Sequence, residues 1–270
     1  MAIKLLGLPQ DNNSSFLTGP ALAPDRIREA LQSDSANLFT ESGYDLSDKS
    51  LWADAGNVSL TGLERQEAFD AIRSKVWELI NAGGNVVSLG GDHSVAYPAI
   101  DAHASLHKGL NILHIDAHPD LYDDMLQNPF SHASPFARLM ESGNIARLVQ
   151  VGIRTLNAHQ RDQAQRFGVE VHEMRDLSGV SEIAFDGPVY LSFDLDALDP
   201  AFAPGVSHFE PGGLSTRDVL TLIQSFSGKL IGADIVELNP HRDPYGMTAM
   251  VAAKVCKELI SRLLDDKNDG

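Results

Sequence analysis

Cysteine is nearly missing from this chain: Cys256 is the only one in 270 residues. One cysteine excludes an intrachain disulfide and fits a reducing compartment. Cys256 sits among Val255, Leu259 and Ile260 in a helical pattern, which makes it a core residue rather than a nucleophile. Long apolar runs are missing too. None approaches the roughly 18 residues of a membrane span, so no membrane partner is expected. Residues 1–10 do not join a charged segment to an apolar stretch and a small-residue cleavage site. They read as a first strand, and a cytoplasmic location is expected. Basic charge is the third scarcity: 21 Lys and Arg stand against 37 Asp and Glu, for a net charge of −16. There is no basic patch of the kind that binds nucleic acid, so nucleic acid is not an expected partner. An acidic field suits a small cationic substrate, although acidity is common in soluble proteins and carries little by itself.

What is present is enough for a full core, since 43% of the residues are hydrophobic. Short apolar runs alternate with amphipathic stretches, the pattern of a parallel α/β sheet. Strands are expected at 3–8, 51–53, 85–89, 110–115, 147–152, 169–172, 188–193 and 229–236. A helix over 63–82 shows Ala68, Ile72, Val76, Leu79 and Ile80 at helical spacing and ends at Gly83-Gly84. A second, 216–226, opens at a Ser215 cap, and a third covers 247–264. No linker, repeat or low-complexity segment divides the chain, so one domain over 1–270 is expected. Two long loops, 8–24 and 197–214, are rich in Asn, Pro and Gly, and such loops in a compact domain are often active-site loops.

Three acidic-and-histidine clusters carry most of the information. They are Gly90-Gly91-Asp92-His93, Asp116-Ala117-His118-Pro119-Asp120, and Asp194-Leu195-Asp196 leading to Asp199-Pro200. Each follows a run that reads as a buried strand. Ligands of open α/β sheets sit beyond the carboxyl ends of the strands, so this shared position lets distant segments converge. Alternate residues of an extended segment point the same way, which pairs Asp116 with His118 and Asp120, and Asp194 with Asp196. Oxygen-rich ligation with some nitrogen and no thiolate disfavours structural zinc and suits Mn²⁺. For Asp92 and Asp199, capping of a following helix and metal binding stand as equal alternatives. Capping does not account for Asp116, Asp120, Asp194 and Asp196 together, because buried unpaired charges are too costly.

Gly90-Gly91-Asp92-His93-Ser94, Asp116-Ala117-His118-Pro119-Asp120 and the segment Ser192-Phe193-Asp194-Leu195-Asp196-Ala197-Leu198-Asp199-Pro200 resemble the three signatures of the ureohydrolases, the arginase and agmatinase family of dinuclear manganese enzymes. The likeness covers nearly the whole chain. Ser131-His132-Ala133-Ser134-Pro135-Phe136-Ala137-Arg138, the stretch from Ala203-Pro204-Gly205 to Gly213-Leu214, and Met247-Thr248-Ala249-Met250 look most like the plant-type arginase branch. The resemblance implies a three-layer α/β/α fold around a mostly parallel eight-stranded sheet. It also implies two Mn²⁺ per subunit, one held by His93, Asp116, Asp120 and Asp194 and the other by Asp116, His118, Asp194 and Asp196. A metal-bridging hydroxide, oriented by Asp120, would attack the guanidinium carbon. Glu237 would pair with the substrate guanidinium, and His132 would carry the proton to the leaving amine. A homo-oligomer, trimeric or hexameric, is implied as well.

The resemblance frays at the substrate's tail. An asparagine that animal and many bacterial arginases carry is missing from Leu121-Tyr122-Asp123-Asp124, and an aspartate they use is missing from Gly152-Ile153-Arg154-Thr155-Leu156-Asn157. The plant-type likeness favours L-arginine, giving L-ornithine and urea, with agmatine or another guanidino compound as the alternative. His208 is a pocket-lining candidate and His114 a satisfied core or supporting residue, while His103, His107, His159, His172 and His241 read as surface or packing. Metal-dependent deacetylases are similar in fold, but their paired-histidine motif is not found. A catalytically silent metal-binding regulator would have lost a ligand or His132, and all are present.

Overall fold

The strands alternate apolar side chains on both faces, so the sheet must be covered twice. The computed structural model describes residues 3–177 and 183–268. Within them eight strands form one sheet: β1 (Ile3–Leu8), β2 (Trp52–Asn57), β3 (Val86–Gly90), β4 (Leu110–Ile115), β5 (Ile145–Ile153), β6 (Glu170–Glu173), β7 (Ala184–Asp194) and β8 (Ser227–Val236). Their order is β2-β1-β3-β8-β7-β4-β5-β6, and every described pairing is parallel. All eight expected strands are found.

One face packs Leu5, Val87, Leu113, Leu191 and Ile235 against α1 (Ala23–Leu31), α6 (Thr216–Ser225) and α7 (Met247–Asn268). The other face packs Leu6, Leu8, Ile112 and Leu148 against α2 (Arg65–Asn81), α3 (Ala96–Leu106), α4 (Pro135–Glu141) and α5 (Ala158–Phe167). This is the expected three-layer α/β/α arrangement, with a sheet that is wholly rather than mostly parallel. Ser215 caps α6 through a reciprocal pair with Asp218, as its position before the helix suggested. The sequence pattern did not single out α1, α3, α4 or α5. They are short or interrupted by polar residues, and α5 buries only Gln160, Gln163 and Ala164, so the apolar period is weak there. Cys256 is fully buried in α7, where burial pushes its thiol up to about 12. Among the described residues no helix is long and apolar enough to cross a membrane.

The long loop 8–24 is partly structured. A short 3-10 turn over Pro20–Leu22 leads into α1, and Asp11 accepts from the backbone of Gly19 at 2.6 Å. The loop 197–214 is pinned rather than free. Leu198 bridges Leu214, Val206 bridges Leu238, and Arg154 donates to the carbonyls of Asp196, Ala197 and Glu210 at 2.7, 3.1 and 2.6 Å.

Candidate metal centre and catalytic pocket

A parallel sheet ends all its strands on one side, and the clusters meet there. β3 delivers His93, β4 delivers Asp116, His118 and Asp120, and β7 delivers Asp194 and Asp196. The Nδ1 of His93 lies 3.1 Å from a carboxylate oxygen of each of Asp116, Asp120 and Asp194. The Nδ1 of His118 lies 3.0 Å from Asp196 and 3.5 Å from Asp116. All six sequence-predicted ligands are therefore together, and all but His118 are buried.

The proton positions can be argued from partners. Ser192 Oγ donates to Asp234 at 2.7 Å, so the same oxygen accepts from His93 Nε2 at 3.0 Å. His93 Nε2 then carries a proton, and Nδ1 faces three carboxylate oxygens, which is stable only with positive charge, a proton or a cation, between them. His114 behaves differently. Its Nδ1 accepts from Gln150 at 3.0 Å, which leaves Nε2 to donate to Asp116 at 2.7 Å. Both of its nitrogens are occupied by the protein, so it supports Asp116 rather than offering a ligand atom, as expected for a satisfied core histidine.

Electrostatics show the same shortage of positive charge. Burial, with the charges of Asp196 and Asp116, holds the Asp194 carboxyl well above the usual range. Burial raises Asp196 to about 6 despite His118 beside it. Burial opposes charge on His93 and His118, yet the surrounding carboxylates hold both well above their ordinary value. The donor set fits divalent cations: buried carboxylates and imidazoles, no thiolate, and a lone pair and carboxylates aimed at common points.

The remaining acids named in the clusters act otherwise. Asp92 accepts from the backbone of Asn13 and Ser94 at 3.1 Å each, and Asp199 accepts from Ala201 and Gly212 at 2.9 and 2.6 Å. Asp92 caps the 3-10 turn His93–Val95, the role its position suggested, whereas no helix follows Asp199 directly and it ties together the loop 197–214 instead.

Glu237, just past β8, takes the left-handed conformation with φ 66, and Asp120 takes it with φ 48. Residues with side chains avoid this region, and such strain collects at functional sites. Glu237 Oε1 accepts from the backbone of His93 and from His132 Nδ1, both at 2.9 Å. Burial works against the charge on His132, but Glu237, Asp92 and Asp120 raise it to about 9. Its Nε2 meets Ser15 Oγ at 2.8 Å, and its backbone donates to Asn13 at 3.2 Å. The loop 8–24 thus frames the histidine. Above the cluster lies a cavity of about 220 Å³, lined at its inner end by Asp120, Asp194, Asp196, His132 and Glu237. His208 lines it too, with ring centroids 5.4 Å from His132 and 6.1 Å from His118.

Apart from His114, expected as a core or supporting residue, sequence reasoning missed what lies beneath. Ser88, Asp234, Ser192, His114 and Gln150 pair in register across five neighbouring strands, forming a polar row through an otherwise apolar sheet. Side chains two apart on a strand share a face, so Ser192 lies below Asp194 and His114 below Asp116. A polar residue two positions before Asp116 and Asp194, inside an apolar run, was the available signal. The row orients residues of the cluster: Ser192 fixes His93, His114 holds Asp116, and Gln150 also donates to the carbonyl of Pro119 at 2.6 Å. Burial raises Asp234, at the row's centre, to about 6.

Fold and site together define a class: a three-layer α/β/α protein with a buried carboxylate-and-imidazole cluster at the strand ends. Residues 1–261 match the sequence profile described as Arginase family. "Arginase 1, mitochondrial" of Arabidopsis thaliana is 47% identical over 274 residues, covering 96% of this chain and 80% of that one. "Arginase 2, chloroplastic/mitochondrial" of the same plant is 45% identical over 277 residues, covering 96% and 80%. The solved structure "Arginase from Medicago truncatula" superimposes with a TM-score of 0.93 at 44% identity, over 97% of this chain and 87% of that one. The chain belongs to the arginase family. The plant-type likeness is sustained by these relatives. The expected cytoplasmic location is overturned: the plant relatives carry organellar names, and a low cysteine count reports redox conditions rather than a compartment.

Proposed function

We propose that this chain hydrolyses the guanidino group of L-arginine to L-ornithine and urea, as a single catalytic domain over 1–270. The observation that carries this reading is a buried cation-seeking cluster on the floor of a cavity, with Glu237 and His132 joined at its side. His93, Asp116, Asp120 and Asp194 would hold one metal ion, and Asp116, His118, Asp194 and Asp196 the other. Manganese is the metal that such an oxygen-rich, thiolate-free set suits. When bound, the metal pair supplies the Lewis acidity that makes a water-derived nucleophile available near neutral pH.

The chain's own residues do the rest. Glu237 faces the guanidinium, whose planar fork of donors matches a carboxylate's two oxygens. Asp120 accepts a hydrogen bond from the attacking water and so orients it. His132, protonated at neutrality and held between Glu237 and Ser15, delivers its proton to the departing nitrogen. The net acidity of the chain favours the approach of a cationic substrate. A homo-oligomer, trimeric or hexameric, belongs to the same reading and is checked by sedimentation.

The test is urea release by manganese-loaded protein, with L-arginine and agmatine side by side and a chelated sample as control. Urea from arginine, lost on chelation and restored by manganese, is the expected result. Turnover that ignores metal removal would sink the proposal, and urea from agmatine alone would replace the substrate.

A further inference from the structure

A second, smaller cavity of about 20 Å³ lies where α2, the start of α3, α4 and the loop 8–24 meet. That is room for one species of about the size of a water molecule. Its charge is the reverse of the catalytic pocket's. In a chain with a net charge of −16, Arg65 and Arg138 line it and no Asp or Glu does.

The cavity is rich in donors that lack acceptors. Gln10 is only 4% exposed, and its buried Nε2 has no hydrogen-bond partner among the described residues. The buried Nε of Arg138 has none either, since that side chain meets Glu141 through a terminal nitrogen at 2.9 Å. Arg65 makes no hydrogen bond or ion pair among the described residues. It also takes the left-handed conformation, with φ 46, at the start of α2. Strain of that kind collects at functional sites. The hydroxyl of Ser94 is already committed, donating to Asp92 and accepting from Asn13. Buried donors without acceptors are costly. A water accepts two hydrogen bonds and brings no charge, whereas an anion accepts from all three side chains and balances the positive charge.

The cavity adjoins the frame of the catalytic histidine. Asn13 lines it, and the carbonyl of Asn13 accepts from the backbone of His132 at 3.2 Å. The Asn13 backbone donates to Asp92 and its side-chain oxygen accepts from Asn128, both at 3.1 Å. Ser131, which also lines the cavity, directly precedes His132.

We propose that the cavity between Gln10, Arg65 and Arg138 binds one small anion of halide size, and that the bound anion stiffens the loop 8–24 and the segment 128–132 around His132. The site is separate from the cation-seeking cluster and does not depend on which guanidino compound is hydrolysed.

The test uses manganese-loaded protein in gluconate buffer, with chloride replacing gluconate at constant ionic strength. Gluconate is too large for the cavity. Binding to the folded state should raise Tm as chloride increases. Hydrogen bonds to charged groups predict that Gln10→Leu, Arg65→Gln and Arg138→Gln each need about 10- to 100-fold more chloride for the same rise. Three separate variants keep the test decisive if one fails to fold. Crystals soaked in bromide should show an anomalous peak between the three side chains, and a peak at the carboxylate-and-imidazole cluster alone would overturn the site. An equal response to chloride in wild type and all three variants would overturn it too. Chloride should slow amide exchange over 11–15 and 128–132 in wild type, and unchanged exchange with the ion bound would overturn the stiffening of His132's frame.

Discussion

The two ends of one cavity are built by opposite means. The inner end stands on strand ends, where Asp116, Asp194 and His93 are buried and braced from below by Ser192, His114 and Gln150. The outer end is made by the loop after β4 and the start of α5, where Tyr122 is half-buried and Asn157 exposed. Charge differs as sharply: four carboxylates against neutral hydroxyl and amide donors. Rigid strand ends hold like charges close enough to bind cations, a geometry that would fly apart on loops. A substrate tail asks less, and loops can vary to fit it without disturbing the reactive end.

That contrast can be broken most forcefully at the inner end. Asp194→Ala or Asp120→Ala should abolish tight metal binding and cut urea release by about 10³-fold or more, a barrier change near 4 kcal/mol. Metal content by mass spectrometry and initial rates check this. His132→Ala should keep its metal and lose about 10² to 10⁴ in rate; a variant with full rate at neutral pH would remove His132 from proton transfer.

A milder blow tests the bracing. Ser192→Ala leaves every ligand in place but frees His93 Nε2 from its acceptor, and metal affinity should drop about 10- to 100-fold. Competition with a chelator measures it, and an unchanged affinity would show that the polar row is packing alone. Substitutions at the outer end should leave metal affinity untouched and alter only which tail is preferred.

The smallest effect lies away from both ends. His103 in α3 is buried, neither ring nitrogen has a hydrogen-bond partner among the described residues, and burial lowers it to about 3. The unfolded chain takes up that proton near the ordinary value of about 6.5. Its contribution to stability is therefore complete above roughly pH 6.5 and drains away as pH falls toward 3, at up to about 1.4 kcal/mol per pH unit. His103→Leu should flatten the acid limb of Tm against pH between 7 and 5, while an unaltered slope would assign the acid sensitivity elsewhere. The sequence pattern left His103 among surface or packing histidines; only its position against Tyr190 and Gly232 shows how completely it is enclosed.

Much of the inner end was legible because its residues announce themselves locally. A carboxylate or histidine at the end of an apolar run has few reasons to be there, and three such runs share one side of any parallel sheet. The strands were legible for a related reason: burial on both faces demands mainly apolar runs such as Val86–Gly90 and Leu110–Ile115, broken only by Ser88, Asn111 and His114. The helix α5 was not, since its buried face is made of Gln160, Gln163 and Ala164 and carries little apolar period.

The sequence by itself determined the α/β class, the eight strands and the placing of the acid-and-histidine clusters at strand ends, because strand period and strand-end position are local properties. Tertiary structure alone decided which strands are neighbours. The order β3-β8-β7-β4-β5 aligns Ser88, Asp234, Ser192, His114 and Gln150 into one row, though they are scattered from position 88 to position 234. It also brought Asn157 to Tyr122, 35 residues away. Hydrogen bonds between such distant residues depend on strand order and loop path, which no local pattern encodes.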